Sequence, residues 1–201
     1  MGGNGMEDKA WEELRNRVLS CQRCGLCRTR TNTVFGQGSV HTPLVFVGEG
    51  PGEDEDKSGQ AFVGRAGQLL TKILGSAGIE RESCFITNVV KCRPPGNRNP
   101  VQEEMLMCGD FLEAQLLLLR PKIVVCLGNV PLKWLLKTSS GITALRGQWI
   151  DWRGIKLFPM FHPSYLLRND SREKGSPKYL TWQDVQALKA RLEEIEKGAY
   201  K

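Results

Sequence analysis

No stretch of the chain approaches the roughly 18 consecutive apolar residues that a membrane-spanning helix needs, so no membrane partner is expected. The opening MGGNGMEDKAWEELRNR lacks the apolar centre of a secretory signal, and Met6 stands where a myristoylated terminus would carry Ser or Thr. Internal repeats, long linkers and low-complexity tracts are missing as well. What remains is one intracellular globular domain over residues 1–201, with loose tails at about 1–10 and 198–201. Histidine is scarce, with only His41 and His162. A chain of this length buries about 70% of its unfolded surface and does not depend on disulfide staples. In a reducing compartment its seven cysteines therefore read as metal or redox ligands. The net charge of +6 is compatible with a polyanionic partner but does not establish one.

Buried strands and helices alternate along the chain. PLVFVGEG (43–50) is a short strand running into a glycine turn, and FVGRAGQLLTKILGSAGI (62–79) has helical apolar spacing with a glycine stop. SCFITNVVK (83–91) is β-branched and strand-like, whereas CRPPGNRNP (92–100) must be loop because Pro94, Pro95 and Gly96 break regular structure. Asn99 and Pro100 predict the cap and first residue of the next helix, whose apolar face runs Val101, Met105, Cys108, Leu112, Leu116, Leu119. KIVVCLG (122–128) is a further strand with a helix after it through Trp134 and Leu136. The segments of 148–161 flank a turn at Arg153-Gly154, and a last amphipathic helix covers Thr181 to about Lys197. This alternation predicts an α/β fold with a mainly parallel sheet. Ligands of such sheets bind beyond the C-terminal strand ends, where GEGPGEDEDKSG, the segment from Asn88 to Pro100 and HPSYLLR all fall.

CQRCGLC places Cys21, Cys24 and Cys27 within seven residues. Bacterial ferredoxins continue such a run with a cysteine four residues on, where this chain has Thr31. Further ligands would have to come from Cys92, at the start of the proline-rich loop, and Cys108, in the following helix. Four thiolates suit structural zinc or an iron–sulfur cluster. Against that, Cys108 also belongs to an apolar face, and cysteine is a common core residue. Cys84 and Cys126, embedded in strands, read as core, and Cys27 as a spare ligand or a bystander.

The glycine turn after the first strand carries Glu49, Glu53, Asp54, Glu55 and Asp56, which would repel phosphate. Carboxylates there better suit positioning water or bracing a developing cation, although a solvated acidic loop accounts for Glu53 and Asp54. Asn88 and Asn97 offer amides to the edge of a planar ligand. A lone histidine is usually structural, but His162 follows a strand, is stiffened by Pro163 and lies near Arg168.

Taken together, GEGPGEDED, SGQAFVGRAGQLL, ITNVVKCRPP with NR-P, and MFHPSYLLR resemble the family-four uracil-DNA glycosylases, over about residues 14–195. The resemblance implies a three-layer α/β/α fold with a central four-stranded, mainly parallel sheet. It implies a [4Fe–4S] cluster on Cys21, Cys24, Cys92 and Cys108, and a cytoplasmic monomer working with a prokaryotic nucleoid. It also implies hydrolysis of the N-glycosidic bond of uracil in single- or double-stranded DNA, leaving an abasic site for base excision repair. Gly48, Glu49 and Gly50 would line the uracil pocket, Phe62 would stack on the base, Asn88 would read its edge and His162 would face O2. Glu49, Glu55, Asn97 and His162 form the expected catalytic set, with Glu55 and Asn97 holding the attacking water. Tyr165, Leu166, Leu167 and Arg168 would meet DNA, the two leucines as a wedge. Cys27 departs from the pattern by adding a thiol beside the cluster. Two rival readings are a cluster-bearing nucleic-acid-binding module without glycosylase activity and a nucleotide-processing enzyme that grips phosphate with GEGPG.

Overall fold

The structure, a computed structural model, describes residues 5–198. Two short runs of residues form the core strands, β2 (Leu44–Gly48) and β4 (Ile123–Leu127), and every residue in both is buried. Strands buried on both faces need continuous apolar sequence, and LVFVG and IVVCL supply it. With β3 (Phe85–Asn88) and β6 (Ile155–Met160) they form four parallel neighbours, while β1 (Gln37–Gly38) and β5 (Ile150–Trp152) add an antiparallel strand at each edge. The sheet is therefore six-stranded, in the order β1-β3-β2-β4-β6-β5. This corrects the expected four: the parallel centre has that number, and the additions are edges too short to register in a sequence pattern. The hairpin of β5 and β6 turns on Arg153 (φ 50°) and Gly154 (φ 79°), both left-handed as a two-residue hairpin of this kind requires.

Alternate strand residues face opposite layers. Val45, Val47, Val124, Cys126 and Leu157 share one core cluster with Leu14 and Val18 of α1 (Gly5–Leu19), Leu112 and Leu116 of α4 (Gln102–Leu119) and Leu132 of α5 (Asn129–Leu136). Phe46, Val125 and Phe158 point the other way, onto Leu70 and Leu74 of α3 (Arg65–Ser76) and Val185 and Leu188 of α8 (Pro177–Glu196). Three short helices complete the fold: α2 (Glu53–Ser58), α6 (Ile142–Leu145) and α7 (Pro163–Leu167). A second correction concerns the N-terminal tail. Residues 5–10 belong to α1 and are anchored by its buried Leu14 and Val18; residues 1–4 and 199–201 lie outside the described residues.

The start of α4 differs from the Asn99–Pro100 expectation by two residues. Val101 is the N-cap, and its N–H donates to the Glu104 carboxylate at 2.9 Å; Arg98 clamps the same carboxylate through two hydrogen bonds. A half-exposed ion pair from outside the helix thus overrides the local proline signal. β2 has β3 on one side and β4 on the other, so the chain reverses its direction of travel across the sheet there. A crevice at that switch point is the usual ligand site of a parallel sheet.

Candidate active site

The crevice opens above the C-terminal ends of β2, β3, β4 and β6 as a cleft of about 680 Å³. Glu49, Gly50, Glu55, Phe62, Asn88, Asn97, His162, Tyr165 and Arg168 all line it, so the three polar loops converge. Gly48 lies beneath: a Cβ there would stand 2.4 Å from Asn88 Oδ1 and 2.6 Å from the tip of the Phe62 ring. Only glycine lets those two side chains approach over the strand end. Phe62 itself has φ 54°, a left-handed conformation that costs a non-glycine residue free energy. Gly67 accommodates it, because a Cβ at 67 would meet the Phe62 carbonyl oxygen at 1.8 Å.

Asn88 is 1% exposed, and its Oδ1 has no hydrogen-bond partner. Leaving such an acceptor unpaired costs about 1–3 kcal/mol, which a ligand N–H would recover. The Phe62 and His162 rings lie 5.8 Å apart, inclined by 40°. His162 caps α7, its Nδ1 accepting from the Ser164 backbone N–H at 3.1 Å with the Ser164 hydroxyl 2.8 Å away. In the neutral ring that bond leaves Nε2 as the proton carrier and donor. Neutral is the state it keeps: burial, and secondarily the Arg168 charge, push its pKa down to about 4. Glu49 is half-buried, and burial raises its carboxyl above the ordinary value.

Both oxygens of Glu55 are engaged by backbone donors: Oε2 accepts from Gly52 N–H at 3.1 Å, and Oε1 from Val63 and Gly64 N–H at 2.8 Å each. This carboxylate fastens the glycine turn to the Phe62 segment, while it lines the cleft with acceptor capacity to spare. Leu166 is 1% exposed and packs in the core, so it is no wedge; the neighbouring Leu167 (38%) and Tyr165 (39%) are the exposed apolar groups. The turn of α7 fixes which way each points, and sequence order alone does not show that.

Asn97 sits at φ 56° on the exposed rim, its Oδ1 accepting from Arg93 Nε at 2.8 Å. Arg93 also reaches Glu53 at 3.3 Å, joining the two polar loops; it was missed because arginine in a proline-rich loop has no distinctive spacing. Asp56, among the carboxylates of the glycine turn, is buried and accepts from the Thr31 N–H at 2.9 Å and the Asn32 N–H at 3.3 Å. Arg65 and Arg168 bring positive charge to the cleft.

The cysteines gather behind β3. Cys21, Cys24, Cys92 and Cys108 line one small cavity together with Cys27, Arg23, Arg30 and Lys91. Arg30 Nη1 donates to Cys92 Sγ, and the Lys91 backbone N–H to Cys108 Sγ, each at 3.2 Å. Such donors suit sulfur that carries negative charge. Burial pushes Cys92 up to about 11 and also raises Cys24 and Cys108, so these thiols stay protonated unless a metal takes the proton's place. Among the described residues no three His, Cys, Asp or Glu side chains are gathered as one metal ion requires. Cys84 and Cys126 are buried apart from it.

Lys91 connects this cavity to the cleft. Fully buried, its Nζ donates at 2.7 Å to Thr87 Oγ1, the Asn88 carbonyl and Gln115 Oε1, and burial pushes its pKa down to about 7. Asn88 therefore stands on a network whose next residue along the chain is Cys92.

The model of the Uracil DNA glycosylase superfamily matches residues 35–186. The chain is similar to a type-4 uracil-DNA glycosylase of Thermotoga maritima, 51% identical over 83% of this chain and 88% of that protein. It is also similar to type-4 uracil-DNA glycosylases of Sulfurisphaera tokodaii (42% identical, over 81% of this chain and 78% of that one) and Archaeoglobus fulgidus (41%, 78% and 82%).

Proposed function

The chain belongs to the Uracil DNA glycosylase superfamily, and from that membership we propose that it hydrolyses the N-glycosidic bond of uracil in DNA to leave an abasic site. The observation that carries the reading is the buried, unpartnered Asn88 Oδ1 beside the Phe62 ring and the neutral His162. Its test is a gel assay on single- and double-stranded oligonucleotides containing uracil. An alkali-labile abasic product is expected; binding without product would favour the non-catalytic module instead.

The bond is out of reach inside a duplex, so the nucleotide must be extruded, at a few kcal/mol. Leu167 and Tyr165 can fill the gap it leaves, while Arg168 and Arg65 meet phosphates. Phe62 stacks on the everted ring, a contact worth about 1–3 kcal/mol per base. Stacking does not choose among pyrimidines, but the amide does. Asn88 Oδ1 accepts from uracil N3–H while its Nδ2 donates to O4. Cytosine inverts both positions and leaves buried groups unpaired, at about 1–3 kcal/mol each.

As the bond between C1′ and N1 breaks, its electron pair moves into the uracil ring and positive charge grows on the sugar. His162 Nε2–H donates to the charge gathering on O2, and a neutral imidazole does so without surrendering its proton. The Glu49 carboxylate faces the sugar cation and accepts the proton of the water that attacks C1′; its raised pKa makes it a stronger base than an exposed glutamate. Asn97 orients that water, and Glu55 is a positioning residue for the turn that carries Glu49 and Phe62.

Cys21, Cys24, Cys92 and Cys108 would hold a [4Fe–4S] cluster. When bound, it supplies a crosslink between the N-terminal turn, the loop after β3 and α4. The hydrolysis transfers no electrons, so in this reaction the thiols hold shape, fixing the loop that bears Asn97. The protein is read as a cytoplasmic monomer acting with the nucleoid; no described helix is long and apolar enough to cross a membrane.

A further inference from the structure

A second groove lies across α7 from the catalytic cleft, between α3 and α8, with a volume of about 400 Å³. Leu69, Ile73 and Val185 are among its lining residues, and Leu166 reaches it from α7. Tyr179 and Trp182 form its aromatic wall, their ring centroids 6.4 Å apart and inclined by 36°. Trp182 is 54% exposed, a large aromatic ring left in water. Lys72, Arg172 and Lys178 complete the lining, and none of the residues lining the groove is acidic. Asp170 stands nearby but is ion-paired with Lys178.

α3 joins the two cavities. Arg65 and Ala66 in its first turn line the catalytic cleft, and Leu69, Lys72, Ile73 and Ser76 line the groove. From Arg65 to Lys72 the helix rises about 10 Å at 1.5 Å per residue, short enough for neighbouring nucleotides of one strand to touch both ends. We propose that the groove takes the DNA strand flanking the extruded uracil, one unpaired base lying against Tyr179 and Trp182 while its phosphates meet Lys72 and Arg172. Aromatic platforms beside cations are how proteins hold single strands without reading sequence. An apolar peptide would cover the floor but leave the cations without counter-charges, whereas a nucleotide supplies both a ring and a phosphate. The strand's path rests on the glycosylase reading; the groove's affinity for a nucleic-acid strand does not.

The test uses the full-length, cluster-loaded protein and two single-stranded oligonucleotides with a central uracil. The short one has a single nucleotide on each side, and the long one extends several nucleotides both ways. Trp182→Ala is expected to weaken binding of the long oligonucleotide about tenfold, within the range of one base–aromatic stack. It should leave affinity and single-turnover excision on the short one unchanged, and Trp182→Phe should restore most of the loss. Lys72→Glu combined with Arg172→Glu should remove the length preference and flatten its salt dependence. Equal affinity of Trp182→Ala and the parent for the long oligonucleotide would overturn the proposal. So would a dimer in sedimentation that Trp182→Ala dissociates, since the groove would then be an interface between copies. If the parent excises uracil from neither oligonucleotide, the glycosylase reading fails, while the length preference in binding still decides the groove.

Discussion

His162 is a donor because it is not an acid. With its pKa near 4, it keeps the same neutral tautomer throughout the range in which DNA stays intact. His162→Ser should slow single-turnover uracil release by about 10²–10³, the usual cost of losing one donor to a developing oxyanion, with the melting temperature at neutral pH nearly unchanged. The same residue has a consequence for stability. Its folded pKa lies below the ordinary ~6.5, so as pH falls through 6.5 towards 4 the unfolded chain takes up a proton that the folded chain refuses, and stability declines. His162→Gln should lose less stability than the parent over that window, measured as melting temperature against pH. Asn88→Ala should abolish the preference for uracil over cytosine as bound base, and Gly48→Ala should slow excision comparably by pushing Asn88 and Phe62 aside. At this scale Asn88 and His162 stood out as an amide and an imidazole following strands, whereas Phe62 entered only through the family resemblance; all three line the cleft. Glu55 was legible as a cleft residue, but its grip on the turn was not, because which donors reach a carboxylate depends on how Val63 and Gly64 fold back over it.

Helix α7 shows what a single turn decides. Leu166→Ala should cost about 2–5 kcal/mol of stability as a core truncation, read by denaturant melts. Leu167→Ala should leave the melt unchanged and weaken uracil excision from duplex more than from single strands, because only duplex needs its gap filled. From the sequence the two leucines were equivalent. The strands were legible because parallel strands buried on both faces are apolar throughout. The helix α1 was not, because Trp11, Leu14 and Val18 form only a narrow stripe in a polar segment and gain their partners from α4 and β3. The helix α2 was hidden within an acidic loop, where Asp56 caps the turn at Thr31 and Asn32. The proline-rich loop between β3 and α4 is held from both sides, by thiols and by Lys91. Cys108→Ser should lower iron content and the visible absorbance of the cluster together with the melting temperature. Lys91→Met, which strands the Gln115, Thr87 and Asn88 acceptors, should destabilise by several kcal/mol while leaving iron content near the parent's.

Across the whole molecule, charge and sheet edges set how the protein meets its polymer. The net charge of +6 is modest, and the cations that count are Arg65 and Arg168 at the cleft. Each phosphate they neutralise should contribute about −0.9 to the slope of log affinity against log salt, so Arg168→Ala should flatten a titration by about one counterion without changing base preference. Overall class and loop convergence followed from the alternation of apolar runs with glycine- and proline-marked turns. The strand number did not, because β1 and β5 are only two and three residues long. That brevity has a use. A margin of two or three residues gives another molecule's backbone almost nothing to zip onto, which guards the parallel centre against edge-to-edge sheet growth.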